Sequence, residues 1–319
     1  MDVRIAHHGH CFDGAASAAL FSRYVRERID ASATITFAGL TYEPAAPPPA
    51  KRLKDGAVNA ILDFRYTSSP ILTWYFDHHV SAFQEPGSRE HFDSDATRQK
   101  FHDGTYGSCT KLIADVLRSR DGWEAPDLAD LVHWADIVDS AGYANADVAA
   151  SVDHPANAIT AVIQEIGDDP FCAKLIPLLA SQSLVQICDA PLVRDKLAPI
   201  RLRHEALLAR MERCGEQRGD VAVFDLSEQP LESVNKFVAY KLFPTAQFAV
   251  VLSWTPRRAK ISIGFNPWSK KPRVHSVAEL CERYGGGGHP VVGAISLPAK
   301  ELPRAKEIVT EVVAALSRP

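Results

Sequence analysis

The N-terminal half of the chain alternates short apolar runs with stretches of helical period. Val3–Ala6, Thr34–Ala38, Val58–Leu62 and Ile71–Phe76 are rich in β-branched and aromatic residues, and each reads as a strand. Gly14–Ile29, between the first two, sets Ala16, Leu20 and Tyr24 at i, i+4 spacing, the stripe of an amphipathic helix. A proline-rich loop, TYEPAAPPPA, follows the second strand. Strands that are apolar throughout and separated by helices belong to a mostly parallel sheet covered on both faces. Such sheets carry their ligand sites at the C-terminal edges of the strands. From Ser108 to Cys214 helical patterns dominate: SCTKLIADVLRSR, PDLADLVHWADIVDSA, three further amphipathic stretches, and Pro191–Cys214 as one long connecting helix.

After Gly219 the pattern resets. VAVFDL reads as a strand, SVNKFVAYKLF as a helix, QFAVVLSW and AKISIGF as strands and SVAELCERY as a helix; a glycine run, the strand AISLP and a terminal helix follow. The predicted fold class is α/β, in three parts: a mostly parallel sheet with flanking helices over residues 1–190, a helical linker over 191–218, and a smaller α+β domain over 219–319, with the active site in the cleft between the two domains.

Charge and cysteine usage narrow the partners. Lys plus Arg number 35 against 39 for Asp plus Glu, a net charge of -4. No global basic field exists to hold a long duplex, so the expected partner is a short single-stranded oligonucleotide or a dinucleotide, with a homodimer left open. No apolar run approaches the roughly 20 residues of a membrane span, and the N-terminus MDVRIAHHGHCFDG lacks the pattern of a signal peptide. The expected location is the cytoplasm, with no membrane partner. The 6 cysteines lack CxxC spacing, which argues against a disulfide framework or a zinc knuckle. The 12 histidines are unevenly spread, with His7, His8, His10, His78, His79, His91, His102 and His133 in the first half.

Several of these histidines stand beside aspartates at strand ends: HHGHCFDG, DF at 63, DHH at 77–79, and HWADIVDS on a later helix. If the strands are neighbours, His7 or His8, Asp13, Asp63, Asp77, His78 and His79 meet at one sheet edge. Carboxylates with imidazoles suit Mn²⁺, Mg²⁺ or Fe²⁺, and a carboxylate such as Asp63 can bridge two ions. A lone strand-end Asp is more often a helix cap; four such ends together are not explained by capping.

In this order the motifs resemble those of the DHH phosphoesterase superfamily. GGGGHPVVGA, from Gly285 to Ala294, is similar to the signature of its associated C-terminal domain. The resemblance implies two divalent ions, Mn²⁺ first, with Mg²⁺, Fe²⁺, Zn²⁺ or Co²⁺ as the other candidates. It implies that Asp63 bridges them, that Asp13, His78 and Asp136 hold one, and that His7 or His8 with Cys11 holds the other. Asp77 and His79 are expected at the chemistry, Asp77 orienting a histidine or touching a metal and His79 contacting the substrate phosphate. Gly286, Gly287, Gly288 and His289 are expected to bind substrate, because glycines admit a phosphate close to the backbone. Asn235, Arg257 and Asn266 are further polar candidates, Trp268 a stacking surface, and Lys111 a cation one turn into a helix capped by Ser108. His10 reads as lining the site, His91 and His102 as bystanders, and His133 and Asp139 as structural.

Two departures stand out. Cys11 occupies a position where most members of the superfamily have Asp; a thiolate shifts that site toward Zn²⁺ or Fe²⁺, and a thiol that stays protonated leaves it weakly occupied. IGFNPW at 263–268 replaces an Arg-Ser strand end. The implied activity is metal-dependent hydrolysis of phosphodiester bonds in short oligonucleotides or linear or cyclic dinucleotides. The alternatives are a pyrophosphatase or polyphosphatase, or a nucleotide sensor with little turnover.

Overall fold

The computed structural model describes residues 1–42, 46–231 and 234–317, so the middle of the proline-rich loop, Ser233 of the expected helix and the last two residues lie outside it. The chain divides into two units. Unit 1 comprises Met1–Tyr143 and Val152–Ile200; unit 2 comprises Ala144–Ser151 and Arg201–Pro319.

Unit 1 opens with β1 (Asp2–His8), α1 (Phe12–Tyr24), β2 (Thr34–Leu40), β3 (Val58–Leu62), β4 (Leu72–Asp77), α2 (Ser88–Asp93) and β5 (Lys100–His102). The strands form one sheet in the order β2-β1-β3-β4-β5, every pair parallel. Helices α3 (Cys109–Asp121) and α4 (Ala129–Ser140) follow, then α5 (Ala146–Ala150), which belongs to unit 2, then α6 (Pro155–Ile166), α7 (Asp169–Leu179) and α8 (Leu184–Asp189). Helix α1 is buried nearly all round. Its Ala15, Ala16, Ala18 and Ala19 let α3 and α4 approach closely, and Phe21 packs edge-on to Trp74 with ring centroids 5.5 Å apart. The register pairs His7 with Leu62 and Leu62 with Phe76, so His8, Asp63 and Asp77 leave the sheet at the same edge.

The long helix α9 (Pro191–Cys214) is continuous, as its periodicity predicts. It is not a free linker, because Val193, Leu197 and Ile200 belong to the core of unit 1 and Met211 to that of unit 2. Unit 2 continues with β6 (Gly215–Arg218), β7 (Val221–Asp225), α10 (Val238–Leu242), β8 (Phe248–Trp254), β9 (Arg258–Phe265), α11 (Val277–Glu282), β10 (Gly287–His289), β11 (Val292–Pro298) and α12 (Leu302–Leu316). Its mixed sheet runs β10-β11-β9-β8-β7-β6, with α11 and α12 contributing to one core cluster and α10 to another. Helix α10 is shorter than its apolar period suggests, because Asn235 Oδ1 accepts the Phe237 amide at 2.9 Å and holds that segment in a turn.

Candidate metal centre

The strand ends of unit 1 bring together three overlapping groups of ligand atoms: His8, Cys11 and Asp63; Asp63, His78 and His79; and Asp13, His78 and Asp139. Asp63 links them. Its Oδ2 lies 3.3 Å from His8 Nδ1, while Oδ1 lies 3.5 Å from His78 Nε2, so the two oxygens of one carboxylate face two different donor sets. Asp63 also has φ of +60°, the left-handed region that a non-glycine residue enters at a cost of roughly 1–3 kcal/mol and that clusters at functional sites.

His78 Nε2 lies 3.2 Å from Asp139 Oδ2 and 3.8 Å from Asp13 Oδ2. Yet neither it nor Asp63 Oδ1 has an aligned hydrogen-bond partner, although both atoms are buried. Buried polar atoms left unpaired at the meeting point of several carboxylates are the signature expected of a cation site. The residues present therefore fit divalent ions.

Electrostatics agree. Burial, then the neighbouring Asp63 and Asp139, pushes the Asp13 carboxyl well above the usual carboxylate range. Burial also opposes the charged forms of Asp63 and His78, but it is outweighed: histidine contacts hold Asp63 low, and Asp139 and Asp63 push His78 up to about 11. Without a cation, protons must balance this cluster; a metal ion would displace them. Desolvation and the same carboxylates hold the Cys11 thiol well above its ordinary value, so its thiolate needs a cation beside it.

The supports come from neighbouring elements. Asp13 is gripped by the start of α3: Cys109 N donates to Oδ2 at 2.7 Å, and Thr110 N and Oγ1 donate to Oδ1 at 2.9 and 2.6 Å. The Tyr106 carbonyl, just upstream, lies 3.1 Å from His78 Nδ1, which turns Nε2 toward the cluster. Asp77 is fully buried between Tyr75 Oη at 3.1 Å and His79 Nδ1 at 2.7 Å and joins none of the three groups. Its carboxylate contacts are with those two side chains, which suits the expected orienting of a histidine. Burial opposes the His79 cation, but Asp77 outweighs it and raises the imidazole pKa.

One open alternative narrows and other placements differ from those expected. His8, not His7, reaches the cluster, because successive residues of a strand point to opposite faces and His7 lies buried with Nδ1 against the His8 carbonyl. Asp139 takes the place expected of Asp136. Leu131 and Ala135 form the buried stripe of α4, and Asp139 continues it at i+4, whereas Asp136 sits a step aside with Ser108 Oγ 3.3 Å from its Oδ1. A Cβ at Gly107 would lie 2.7 Å from that oxygen, so Asp136 braces the loop that presents Tyr106. His10 is exposed, outside the three groups, with Nδ1 near the Gln164 carbonyl. His102 Nε2 meets the His79 carbonyl at 2.8 Å, and Lys111 is paired with Asp115.

In unit 2, Asn266 is buried, and its amide is used internally, donating to the Ala246 carbonyl at 2.8 Å and accepting from Trp268 N at 3.0 Å. Both ends of its amide are thus engaged within the turn. Trp268 packs among Phe237 and Tyr240. Asn235 donates to the Ala149 carbonyl at 3.2 Å. Gly286 and Gly288 are required by the sheet itself, since a Cβ on either would fall 2.3 Å from a carbonyl of β11. Gly287 has open space above it, His289 ends β10 exposed, and Arg257 is exposed at the β8–β9 turn. Sequence reasoning missed the places of Asp139 and Thr110; only Asp139 had a readable signal, its place in the α4 stripe.

No family model matches the sequence, and no curated protein matches it. Solved structures share the fold. A pGpG-specific phosphodiesterase, PggH of Vibrio cholerae, is 20% identical over 98% of this chain and 99% of that one, with a TM-score of 0.70. The DHH domain of a protein described as a member of a ribosomal-protein family is 14% identical over 99% and 87%, at 0.56. The exonuclease RecJ bound to manganese is 13% identical over 98% and 90%, at 0.53. The fold is that of the DHH-domain proteins. No helix among the described residues is long and apolar enough to cross a membrane.

Proposed function

We propose that the chain is a metal-dependent phosphodiesterase that hydrolyses phosphodiester bonds in short oligonucleotides or linear or cyclic dinucleotides. The observation that carries this reading is Asp63, whose two oxygens face two donor sets across a buried, unpaired centre. His8, Cys11 and Asp63 would hold one ion; Asp63, Asp13, His78 and Asp139 would hold the other. When bound, such ions polarise a phosphoryl group and supply hydroxide near neutral pH.

The chain's own groups do the rest. Asp77 fixes His79 through Nδ1 and stabilises its cationic form, so Nε2–H is free to donate to a phosphate oxygen or to protonate the leaving alkoxide. The α3 amides and Thr110 hold Asp13 in one rotamer. Arg257, Gly287 and His289 are the remaining candidates for contacting substrate from unit 2. The pGpG specificity named for PggH and the manganese in RecJ support the substrate class and the metal.

The test is hydrolysis of pGpG, pApA and short single-stranded DNA and RNA by protein purified without chelator and supplied with Mn²⁺, with pyrophosphate as the competing substrate. Cleavage of the nucleotides that is lost in Asp63→Asn supports the reading. A folded, metal-loaded protein that cleaves only pyrophosphate, or nothing, overturns it.

A further inference from the structure

Beside the metal centre, unit 1 carries a cavity of about 310 Å³ lined in part by Tyr42, Pro48, Pro49, Arg65, Gln84 and Glu85. Two of these residues tie it to the centre. Arg65 lies two positions beyond Asp63 on the same strand end. The Tyr42 ring meets His8 edge-on, with centroids 5.3 Å apart, and packs at 4.3 Å against Phe64.

The arginine is held for recognition. Its guanidinium carbon sits 4.9 Å from the Tyr42 ring centroid and 5.3 Å from that of Phe64, and Nη1 donates to Gln84 Oε1 at 2.8 Å. Nε is buried and has no hydrogen-bond partner. Arg65 therefore spends one donor on a neighbour that fixes its plane and keeps an unsatisfied one. A guanidinium offers five N–H donors in one plane, so after the bond to Gln84 donors remain for a ligand acceptor in the cavity. Glu85 faces the same cavity, its Oε2 accepting from Thr67 Oγ1 and Ser68 N at 3.4 Å.

The charges select the ligand class. An arginine alone would suit a phosphate, but a carboxylate in the same cavity repels one. A neutral, flat ring carrying acceptors and donors on one edge satisfies both groups, and the aromatic wall gives it a stacking surface. We infer that this cavity is a nucleobase subsite and that it reads guanine, Arg65 donating to the O6/N7 edge and Glu85 accepting from the ring N–H groups. Guanine is favoured over cytosine because its two rings offer the larger face to Tyr42. The inference rests on the phosphodiesterase reading and adds to it where a substrate base sits.

The experiment compares kcat/KM for pGpG, pApA and pUpU in the wild type, Arg65→Met and Glu85→Gln, and measures binding of GMP, AMP and ribose 5-phosphate by calorimetry. A bidentate arginine–base contact corresponds to about tenfold to hundredfold discrimination. The wild type should prefer pGpG by that factor, and both variants should bring the three substrates to within about threefold of one another. GMP should bind more tightly than ribose 5-phosphate in the wild type and no more tightly in Arg65→Met. An unchanged preference in both variants, or ribose 5-phosphate binding as tightly as GMP, overturns the subsite. If the wild type cleaves no dinucleotide, the proposed reaction fails, and GMP binding lost in Arg65→Met still decides the subsite by itself.

Discussion

Asp136 and Asp139 sit a single turn apart on one helix, and the chain uses them differently. Asp139 Oδ2 is 3.2 Å from His78 Nε2, whereas Asp136 contacts Ser108. Asp139→Asn should abolish one of two metal equivalents, and Asp136→Asn should keep both while weakening affinity about 10- to 100-fold, the usual effect of disturbing an outer support. Metal analysis with binding calorimetry checks both; the reverse order would return the ligand role to Asp136. His7 makes a separate prediction about pH. Burial pulls its imidazole down to about 4, below the ordinary 6.5, so the unfolded chain binds the extra proton. The His7 contribution is therefore fully present above pH 6.5 and is lost as pH falls toward 4, by on the order of 3 kcal/mol over that window. A cation at the nearby cluster would repel imidazolium and leave the sign unchanged. His7→Asn should flatten the acid side of a plot of urea midpoint against pH; an identical slope would mean that His7 is not buried neutral.

At the scale of elements, the start of α3 organises the centre. It supplies two amides and the Thr110 hydroxyl to Asp13, and Ser17 Oγ meets Thr110 Oγ1 at 3.0 Å. Thr110→Val keeps the shape but removes the hydroxyl. It should lower metal affinity about 10- to 100-fold and stability by about 1–3 kcal/mol, and Thr110→Ser should restore affinity. Metal titration of the two variants separates positioning from packing, since affinity restored by serine assigns the effect to the hydroxyl, whereas serine as weak as valine would show that the hydroxyl alone does not hold Asp13. None of this grip was legible in the sequence, because backbone amides carry no residue letter. The four long strands of unit 1 were legible: Val58–Leu62 is apolar but for Asn59, as a buried parallel strand mostly must be. Strands β5, β6 and β10 were not, because segments as short as Lys100–His102 and Gly287–His289 owe their conformation to the partner strand rather than to their own composition. The same limit hid the role of Gly286 and Gly288, whose sequence reads as a loop but whose lack of a Cβ serves sheet pairing.

At the scale of the whole molecule, the division into units differs from the sequence reading because α9 feeds both cores, and residues 144–151 join unit 2 through contacts such as Asn235 Nδ2 to the Ala149 carbonyl. Every residue of the three ligand groups belongs to unit 1. Bound metal therefore stabilises unit 1 directly and unit 2 only through whatever coupling the chain possesses. A ligand at about 100 times its dissociation constant contributes about 2.7 kcal/mol, which slows amides that exchange by opening of that unit about 100-fold. Hydrogen exchange with Mn²⁺ against chelator should show this protection in β1, β3, α1 and α3, with the slowest amides of β8 and β9 unchanged. Equal protection in β8 and β9 would mean that the units open together. Protection in neither would mean that the buried carboxylates keep their protons, and with them the cluster would lose its claim to be a metal centre.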